Sequence, residues 1–461
     1  MPVETTTLLV RGQPLPIVMA VMGLLLLATL AIRRFSLQLG APAILGVLIF
    51  GLLIPNSMEL FHDSTITNLH TVGLAMLLFF AGLQTELRSI RGFLEYGVVL
   101  AIGGVVVSST LLGLVIWWVL SANGSALQLG FSQMPLSVAM LIASCLGSTD
   151  AGATLSVLHQ VRHRVPQRLR NLLEFESSLN DPAAILFLGL VLGLAGGEVG
   201  GEVGSGIAGG IGSGGGQAAQ LLMDEVRQFV QNIGAGVLVG VVMGYFCRFC
   251  LNRLAEQREQ LLIFAIAFAS ISYGVAVEMG GSGFIAAYVT GLFLCNYTYD
   301  NPRISADDLQ EVLAPFNTMM EVIIFLVFGL ATEPERVLPL VPAGLVVGLA
   351  MMVLARPLSV LMFQPLSPFG PKESLLVAWC GLRGAVPLAL ALELVHTIPR
   401  LAGLPEGMGP TLAANVEGIV FTVVVLNLLL QGLSLPWLCR WLGLARDDGP
   451  GPQAPPPPLL P

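Results

Sequence analysis

The chain has 461 residues, of which 55% are hydrophobic and only 11% are charged, and its mean hydropathy is +0.82. A soluble domain carries about a quarter charged residues, so this composition excludes a soluble globular protein and indicates an integral membrane protein. The net charge is −8, and the 21 basic residues include a single lysine, Lys372; they are too few and too scattered for nucleic-acid binding.

The first apolar run extends from Ile17 to Ile32 and is followed by Arg33 and Arg34. A cleavable signal peptide carries its positive charges before the apolar stretch, so this run is predicted to be a retained first span. Twelve further segments are long and apolar enough, or nearly so, to cross a bilayer. The predicted spans are residues 16–32, 40–55, 68–85, 94–121, 133–158, 174–195, 226–250, 260–279, 281–298, 312–331, 337–363, 373–398 and 413–438.

The basic residues give this arrangement an orientation. With the N-terminus outside, fifteen arginines and lysines fall in inside loops and four in outside loops, while Arg356 and Arg383 lie within spans. This bias agrees with the tendency of inside loops to be positive. We therefore predict an all-α polytopic membrane protein with about 13 transmembrane helices, N-terminus outside and C-terminus inside.

Two segments outside the spans are distinctive in composition. Residues 196–225 are rich in glycine in their first part, and this composition predicts a flexible external linker. A phosphate-binding loop is excluded, because no Walker lysine follows and no strand precedes the segment. Residues 441–461 end in a proline run and are predicted to be a disordered cytoplasmic tail.

Two aspartates lie inside long apolar runs, Asp150 in the fifth predicted span and Asp181 in the sixth. A charge at membrane depth is costly, so an ionisable residue there indicates function. Both lie about 10–12 Å from the inner ends of their spans, and Arg356 in the eleventh span lies at a similar depth. Three charges on three spans are thus predicted to meet.

The sixth span adds further polar groups. Ser177 and Asp181 are four residues apart and stack on one stripe of the helix, and Glu176 and Asn180 form the adjacent stripe. Together they are expected to face one side and to offer oxygen ligands suited to a small monovalent cation. A carboxylate there can hold either a proton or a metal cation, and that competition is what ion exchange requires.

Two spans are predicted to be broken. The fifth contains Gly147 to Gly152 and the twelfth contains Gly381 to Pro387, and each stretch combines glycines with a charge. Seven spans separate them, so they run in opposite directions. Paired broken helices in inverted repeats indicate the binding site of a transporter. Arg383 is expected to neutralise the helix ends that face it.

Alternatives remain open for several residues. Glu176 and Arg356 form either a structural salt bridge, which we favour, or part of the direct ion contact. Glu321, in the middle of the tenth span, faces either a water-filled funnel or a subunit contact. The histidines form no metal-binding motif, and no cofactor is expected apart from the transported ions.

These motifs resemble the sodium/proton antiporters of the monovalent cation:proton antiporter-1 family, of the type with an Asn-Asp signature. The matching stretches are Glu176-Ser177-Ser178-Leu179-Asn180-Asp181-Pro182, Ser148-Thr149-Asp150, Gly73-Leu74 through Gly82-Leu83, Ala355-Arg356-Pro357 and Gly381-Leu382-Arg383-Gly384-Ala385-Val386. One departure is that Ala151 and Gly152 follow Asp150, where the family often has proline and valine.

The resemblance implies a core domain, residues 94–195 and 332–440, that moves against a dimerisation domain, residues 1–93 and 226–331. It implies cation contacts at Asp181, Ser177, the Thr149 backbone and Asp150, with Glu176 near Arg356. The expected function is electroneutral exchange of Na⁺, or Li⁺, for H⁺ by alternating access, in a homodimer in the cell membrane that serves pH homeostasis.

The sequence is also compatible with two other functions. One is a K⁺/H⁺ antiporter. The other is an intramembrane aspartyl protease that uses Asp150 and Asp181 as a catalytic dyad. Such a protease needs a Gly-x-Gly-Asp sequence around one aspartate, and neither aspartate has one.

Overall fold

A computed structural model describes residues 15–38, 41–54, 63–123, 134–159, 165–195, 217–301, 305–401 and 408–444, and every regular element in these ranges is helical. The α-helices in these ranges are α1 (Leu15–Gln38), α2 (Ala43–Leu53), α3 (Asp63–Gln84), α4 (Leu87–Ile90), α5 (Leu94–Val98), α6 (Gly104–Asn123), α7 (Leu136–Cys145), α8 (Ala151–His159), α9 (Gln167–Leu194), α10 (Gln217–Leu254), α11 (Gln260–Glu278), α12 (Gly283–Asn296), α13 (Ala306–Ala331), α14 (Pro334–Val337), α15 (Val341–Ala350), α16 (Arg356–Met362), α17 (Pro371–Trp379), α18 (Ala385–Thr397) and α19 (Met408–Trp441).

Eight helical segments in these ranges are long and apolar enough to cross a membrane. They are Met19–Ser36, Leu94–Ser121, Gln167–Leu194, Phe229–Leu254, Gln260–Glu278, Ala306–Ala331, Pro334–Met362 and Met408–Trp441. Shorter apolar helices overlap the remaining predicted spans. The prediction of an all-helical membrane fold is therefore confirmed, whereas thirteen crossings with the N-terminus outside stay a prediction.

The boundary predicted between the glycine-rich linker and the seventh span is wrong. α10 begins at Gln217, so the last nine residues assigned to the linker are helical. Alanine, glutamine, leucine and methionine follow the last glycine there, and these residues favour a helix. Residues 196–216 lie outside the described part of the chain, as do residues 445–461 of the predicted tail.

Two long helices each contain one π turn. Val99–Gly103 joins α5 to α6, and Met351–Ala355 joins α15 to α16, so each pair forms one continuous helical run. A π turn bonds residues five apart and often marks a functional site. Arg356 is the first residue after the second of these turns.

One set of helices packs around α12, which contacts α3, α10 and α11. Gly82 on α3 and Gly291 on α12 permit the closest of these contacts. A Cβ at Gly82 would lie 2.1 Å from the Tyr288 carbonyl oxygen, and one at Gly291 would lie 2.1 Å from that of Phe79. The two backbones thus touch where only glycine fits. α13 packs on α2 and α3 and extends this set.

A second set of helices surrounds the two interrupted spans. α7 packs between α6 and α9, and α19 packs on α15 and α18. The centre of this set is polar, because Asn180, Arg383 and Asn427 are each no more than 1% exposed. Buried polar groups require hydrogen-bond partners, so this centre has a defined network.

Candidate ion-binding site

Two helices are interrupted at the same place in the molecule. Between Cys145 and Ala151, and again between Trp379 and Ala385, the backbone leaves the helical conformation. The Asp150 N–H donates to the Leu382 carbonyl at 2.7 Å, and the Thr154 hydroxyl donates to the Cys380 carbonyl at 3.1 Å. Residue numbers therefore rise along the first chain segment, from 150 to 154, while those of the bonded residues fall, from 382 to 380. The two interruptions thus cross in antiparallel directions.

Arg383 binds the first interruption from the second. Its Nη1 donates to the Gly147 carbonyl at 3.0 Å and to the Ser148 carbonyl. These carbonyls lie just after the C-terminal end of α7, where the helix dipole is negative. The guanidinium group therefore offsets the partial negative charge of unpaired backbone groups.

Asn427 of α19 supports the second interruption. Its Oδ1 accepts the Arg383 backbone N–H at 2.7 Å, and its Nδ2 donates to Gln431 and, at 3.4 Å, to the Gly381 carbonyl. We did not predict this residue. Its signal in the sequence is an amide pair, Asn427 and Gln431, four residues apart within an apolar helix.

On α9, Asp181 and Ser177 contact the first interruption. Asp181 accepts a hydrogen bond from the Ser148 hydroxyl, and the hydroxyls of Ser177 and Thr149 lie 2.9 Å apart. Pro182 follows within the helix and lacks an N–H, so the carbonyl four residues earlier has no helical donor.

Asn180 and Glu176 lie on another face of α9. Asn180 Oδ1 accepts the Thr149 N–H at 3.1 Å, and its Nδ2 donates to Thr149 Oγ1 and, at 3.1 Å, to Glu176 Oε1. Glu176 Oε2 in turn lies 2.9 Å from Arg356 Nη2, and both side chains are at most 3% exposed. A continuous polar chain thus extends from Arg356 to Thr149.

A cavity of about 170 Å³ lies beside the interruptions. Its walls come from α3 and α13 on one side, and from α8, α9 and the start of α18 on the other. The polar residues among those that line it are Gln84, Ser148, Thr149, Asp150, Glu174, Ser177, Ser178, Asp181, Asn317 and Glu321. Four of them are acidic, and among the described residues none that lines the cavity is basic.

This cavity separates side chains that the sequence predicted to face one side. Ser177 and Asp181 line it, whereas Glu176 and Asn180 do not. Adjacent stripes on a helix point in different directions, and the hydrogen bonds to Arg356 and Thr149 hold the second stripe away from the cavity. The prediction that Asp150, Asp181 and Arg356 meet holds only for the two aspartates, which both line the cavity. Arg356 pairs with Glu176 and not with an aspartate.

A sequence model of one family matches residues 22–441, and its description is sodium/hydrogen exchanger, transmembrane. The chain belongs to the sodium/hydrogen exchanger family. The resemblance that the motifs indicated is thereby confirmed. This is a family of transporters and not of enzymes, which speaks against the intramembrane protease.

Curated relatives are named for different cations. The K⁺/H⁺ antiporter NhaP2 of Shewanella oneidensis is 31% identical over 91% of this chain and 66% of its own length. The K⁺/H⁺ antiporter NhaP of Alkalimonas amylolytica is 29% identical, over 93% and 68%. The Na⁺/H⁺ antiporter NhaS2 of Synechocystis is 26% identical, over 92% and 70%. The chain therefore spans about two thirds of the length of these relatives.

The fold of this exchanger is also similar to that of a solved structure. The sodium proton antiporter MjNhaP1 from Methanocaldococcus jannaschii superposes with a TM-score of 0.75 and 20% identity. The match covers 94% of this chain and 100% of that one. At this identity the similarity shows a shared fold.

Two acidic residues of the exchanger's cavity were assigned little or no role from the sequence. The sequence left open whether Glu321 faces a water-filled funnel or a subunit contact, and the structure places it in the cavity wall. Glu174 was not predicted, although it extends the stripe of Ser177 and Asp181 by one turn. Extending that stripe along α9 would have found it, because residues three, four and seven apart share one face of a helix.

Asp150 has a structural contact as well as a place in the cavity. Its Oδ1 accepts the Ala153 N–H at 2.9 Å, which caps the start of α8. Its Oδ2 lies 2.2 Å from the position that a Cβ at Gly384 would occupy. The carboxylate is therefore fixed between the two interruptions.

A second polar cavity of about 190 Å³ adjoins the first and shares Gln84, Glu174 and Ser178 with it. Its other polar lining residues come from the turn between α3 and α4, from α4 and from the start of α9. In the described part of the chain no group of three or more His, Cys, Asp or Glu residues is close enough to hold a resident metal ion.

Proposed function

We propose that the protein is a secondary antiporter that exchanges a monovalent cation for H⁺. The observation that carries this proposal is an acidic cavity that is lined, within the described part of the chain, by no basic side chain. The arginines of the site are bound elsewhere, Arg356 to Glu176 and Arg383 to backbone carbonyls. The cavity carboxylates therefore require a mobile positive charge, either a cation or a proton.

Within the cavity, Asp181 is the residue at which the two cargoes compete. Ser177, Thr149 and Asp150 supply further oxygen ligands for the cation, directly or through water. Asn180 positions Thr149 through two hydrogen bonds. Glu176 and Arg356 stabilise this arrangement from behind, and Arg383 stabilises the crossing of the two interruptions.

The position of the cavity supports alternating access. It lies between the helix set around α12 and α13 and the set that contains the interruptions. We propose that residues 94–195 and 332–440 move as a core against residues 1–93 and 226–331, which also form the contact of a homodimer. The protein lies in the plasma membrane in this proposal. The adjoining cavity at the start of α9 then opens toward the cytoplasm.

Na⁺ is the first candidate for the cation, because carboxylate and hydroxyl oxygens suit a small monovalent ion and the matching family is described as sodium/hydrogen exchangers. K⁺ is the second candidate. It is favoured by the names of the NhaP and NhaP2 relatives, which are more similar to this chain than the Na⁺-named NhaS2.

The test is cation-driven proton movement in proteoliposomes, followed with an internal pH dye and the potential clamped at zero. Li⁺, Na⁺, K⁺ and choline are added in separate experiments to the purified wild-type protein. We expect proton movement with Na⁺ or K⁺ and none with choline. Absence of movement with every alkali cation, from a protein shown to be folded and inserted, would refute antiport.

A further inference from the structure

Glu321 is the one cavity carboxylate that α13 provides. It therefore faces the interruptions from the opposite helix set. Within the described residues its side chain has no hydrogen bond and no ion pair within 4.0 Å. Glu176, by contrast, is fully engaged by Arg356 and Asn180. A glutamate with only a structural role would be expected to have such partners.

The carboxylates of Glu321 and Asp150 approach each other across Gly152. The position that a Cβ at Gly152 would occupy lies 3.2 Å from Asp150 Oδ1 and 3.5 Å from Glu321 Oε1. A single methyl group there would touch both oxygens. Because residue 152 is glycine, the space between the two carboxylates is open to a small ion.

The charges around this pair leave it negative. Asp150 repels the Glu321 carboxylate, and Arg33 of α1 attracts it. Arg33 is not among the residues that line the cavity, whereas Asp181 and Glu174 of α9 are. Two carboxylates so close in a site of low dielectric repel each other unless a positive charge lies between them.

We propose that Glu321 is a further cation-binding residue of the cavity, which the transported monovalent ion contacts together with Asp150. This inference rests on the proposed antiport. One carboxylate belongs to each helix set, so an ion between them bridges the two sets. Glu321 thereby favours capture of the cation, while Asp181 remains the site of exchange.

The test compares three variants with the wild type in the proteoliposome assay, with initial rates measured over a range of cation concentrations. Glu321→Gln removes the charge and keeps the shape, and Glu321→Asp keeps the charge but withdraws it by one methylene. Glu311→Gln is the matched control, because Glu311 lies on the same helix, outside the cavity and 80% exposed.

We expect Glu321→Gln to raise the KM for the cation by about tenfold, as the loss of one attractive charge across a few ångströms predicts. The maximal rate is expected to stay within about twofold, because Asp181 is intact. Glu321→Asp is expected to raise KM by about two- to threefold, and Glu311→Gln is expected to match the wild type. If Glu321 had only a structural role, Glu321→Gln would instead lower the maximal rate and the melting temperature, without a selective rise in KM.

An unchanged KM in Glu321→Gln would overturn the inference and leave the antiport proposal intact. Inactivity of the wild-type protein would refute the antiport itself, so the two failures are distinguishable. If the glutamine variant does not fold, the aspartate variant decides, and an unchanged KM there would refute the role of Glu321.

Discussion

Asn180 and Asp181 are adjacent in the chain but face different surroundings. Asn180 binds Thr149 and Glu176, whereas Asp181 faces the cavity and accepts the Ser148 hydroxyl. We expect Asp181→Asn to abolish exchange, because an amide keeps the shape of the carboxylate but cannot release a proton for a cation. Gel filtration should still show a folded protein. Substantial cation-dependent proton flux by the purified variant would contradict this role.

The Glu176–Arg356 pair is expected to contribute to stability more than to cation affinity. Replacing either partner with alanine leaves a charge buried and unpaired, which should cost about 3–5 kcal/mol. Thermal melting in detergent should fall sharply for each single variant, and the double variant should lose less than the sum. Additive losses would mean that the two side chains do not interact.

A surface pair offers a matched control for this experiment. Glu333 and Arg336 lie 2.6 Å apart, with side chains 39% and 60% exposed. Water screens such a pair, so Glu333→Ala should cost no more than about 1 kcal/mol. The contrast between the two pairs separates burial from the mere presence of an ion pair.

At the scale of elements, the crossing of the two interruptions requires a glycine at position 384. We expect Gly384→Ala to reduce the maximal rate of exchange at least about tenfold, because the added Cβ would displace the Asp150 carboxylate. Gly274→Ala on α11 is the control, since a Cβ there would have no atom of the described residues within 4 Å. Wild-type rates in Gly384→Ala, in the same proteoliposome assay, would show that the crossing tolerates a side chain.

The elements differ in how far the sequence predicted them. The interruptions were predicted because glycines and a charge inside an apolar run are local signals, and the structure has both. The direction of each side chain around α9 was not predicted, because helical spacing shows which residues share a stripe but not which partner each stripe contacts. Asn427 and Glu321 belong to helices distant in the sequence, and only tertiary packing brings them to the interruptions.

At the scale of the whole molecule, exchange is expected to be electroneutral. Asn180 is neutral, so Asp181 carries either one proton or one monovalent cation, and both loaded states have the same charge. The membrane potential, worth about 2.3 kcal/mol per charge per 100 mV, would then do no net work. The measurement is the equilibrium point of exchange at fixed ion gradients, first at zero potential and then at a large negative potential.

A shift of that equilibrium point, or a current on adding the cation, would contradict electroneutral exchange. The result would indicate that a second cavity carboxylate, Asp150 in the first instance, also releases a proton in each cycle. Repeating the measurement with Asp150→Asn would then assign the second proton, provided that this variant still exchanges.

The π turns at Val99–Gly103 and Met351–Ala355 affect where a residue can be deleted from this chain. Each turn holds one residue more than regular α-helical spacing would, while the helix on either side stays in phase. Deleting the exposed Val353 would therefore give a regular helix that still directs Arg356 at Glu176. A deletion within an ordinary stretch of the same helix would rotate one end by about 100° relative to the other. The two turns are thus positions where a membrane helix can lose a residue without redirecting the side chains of the site.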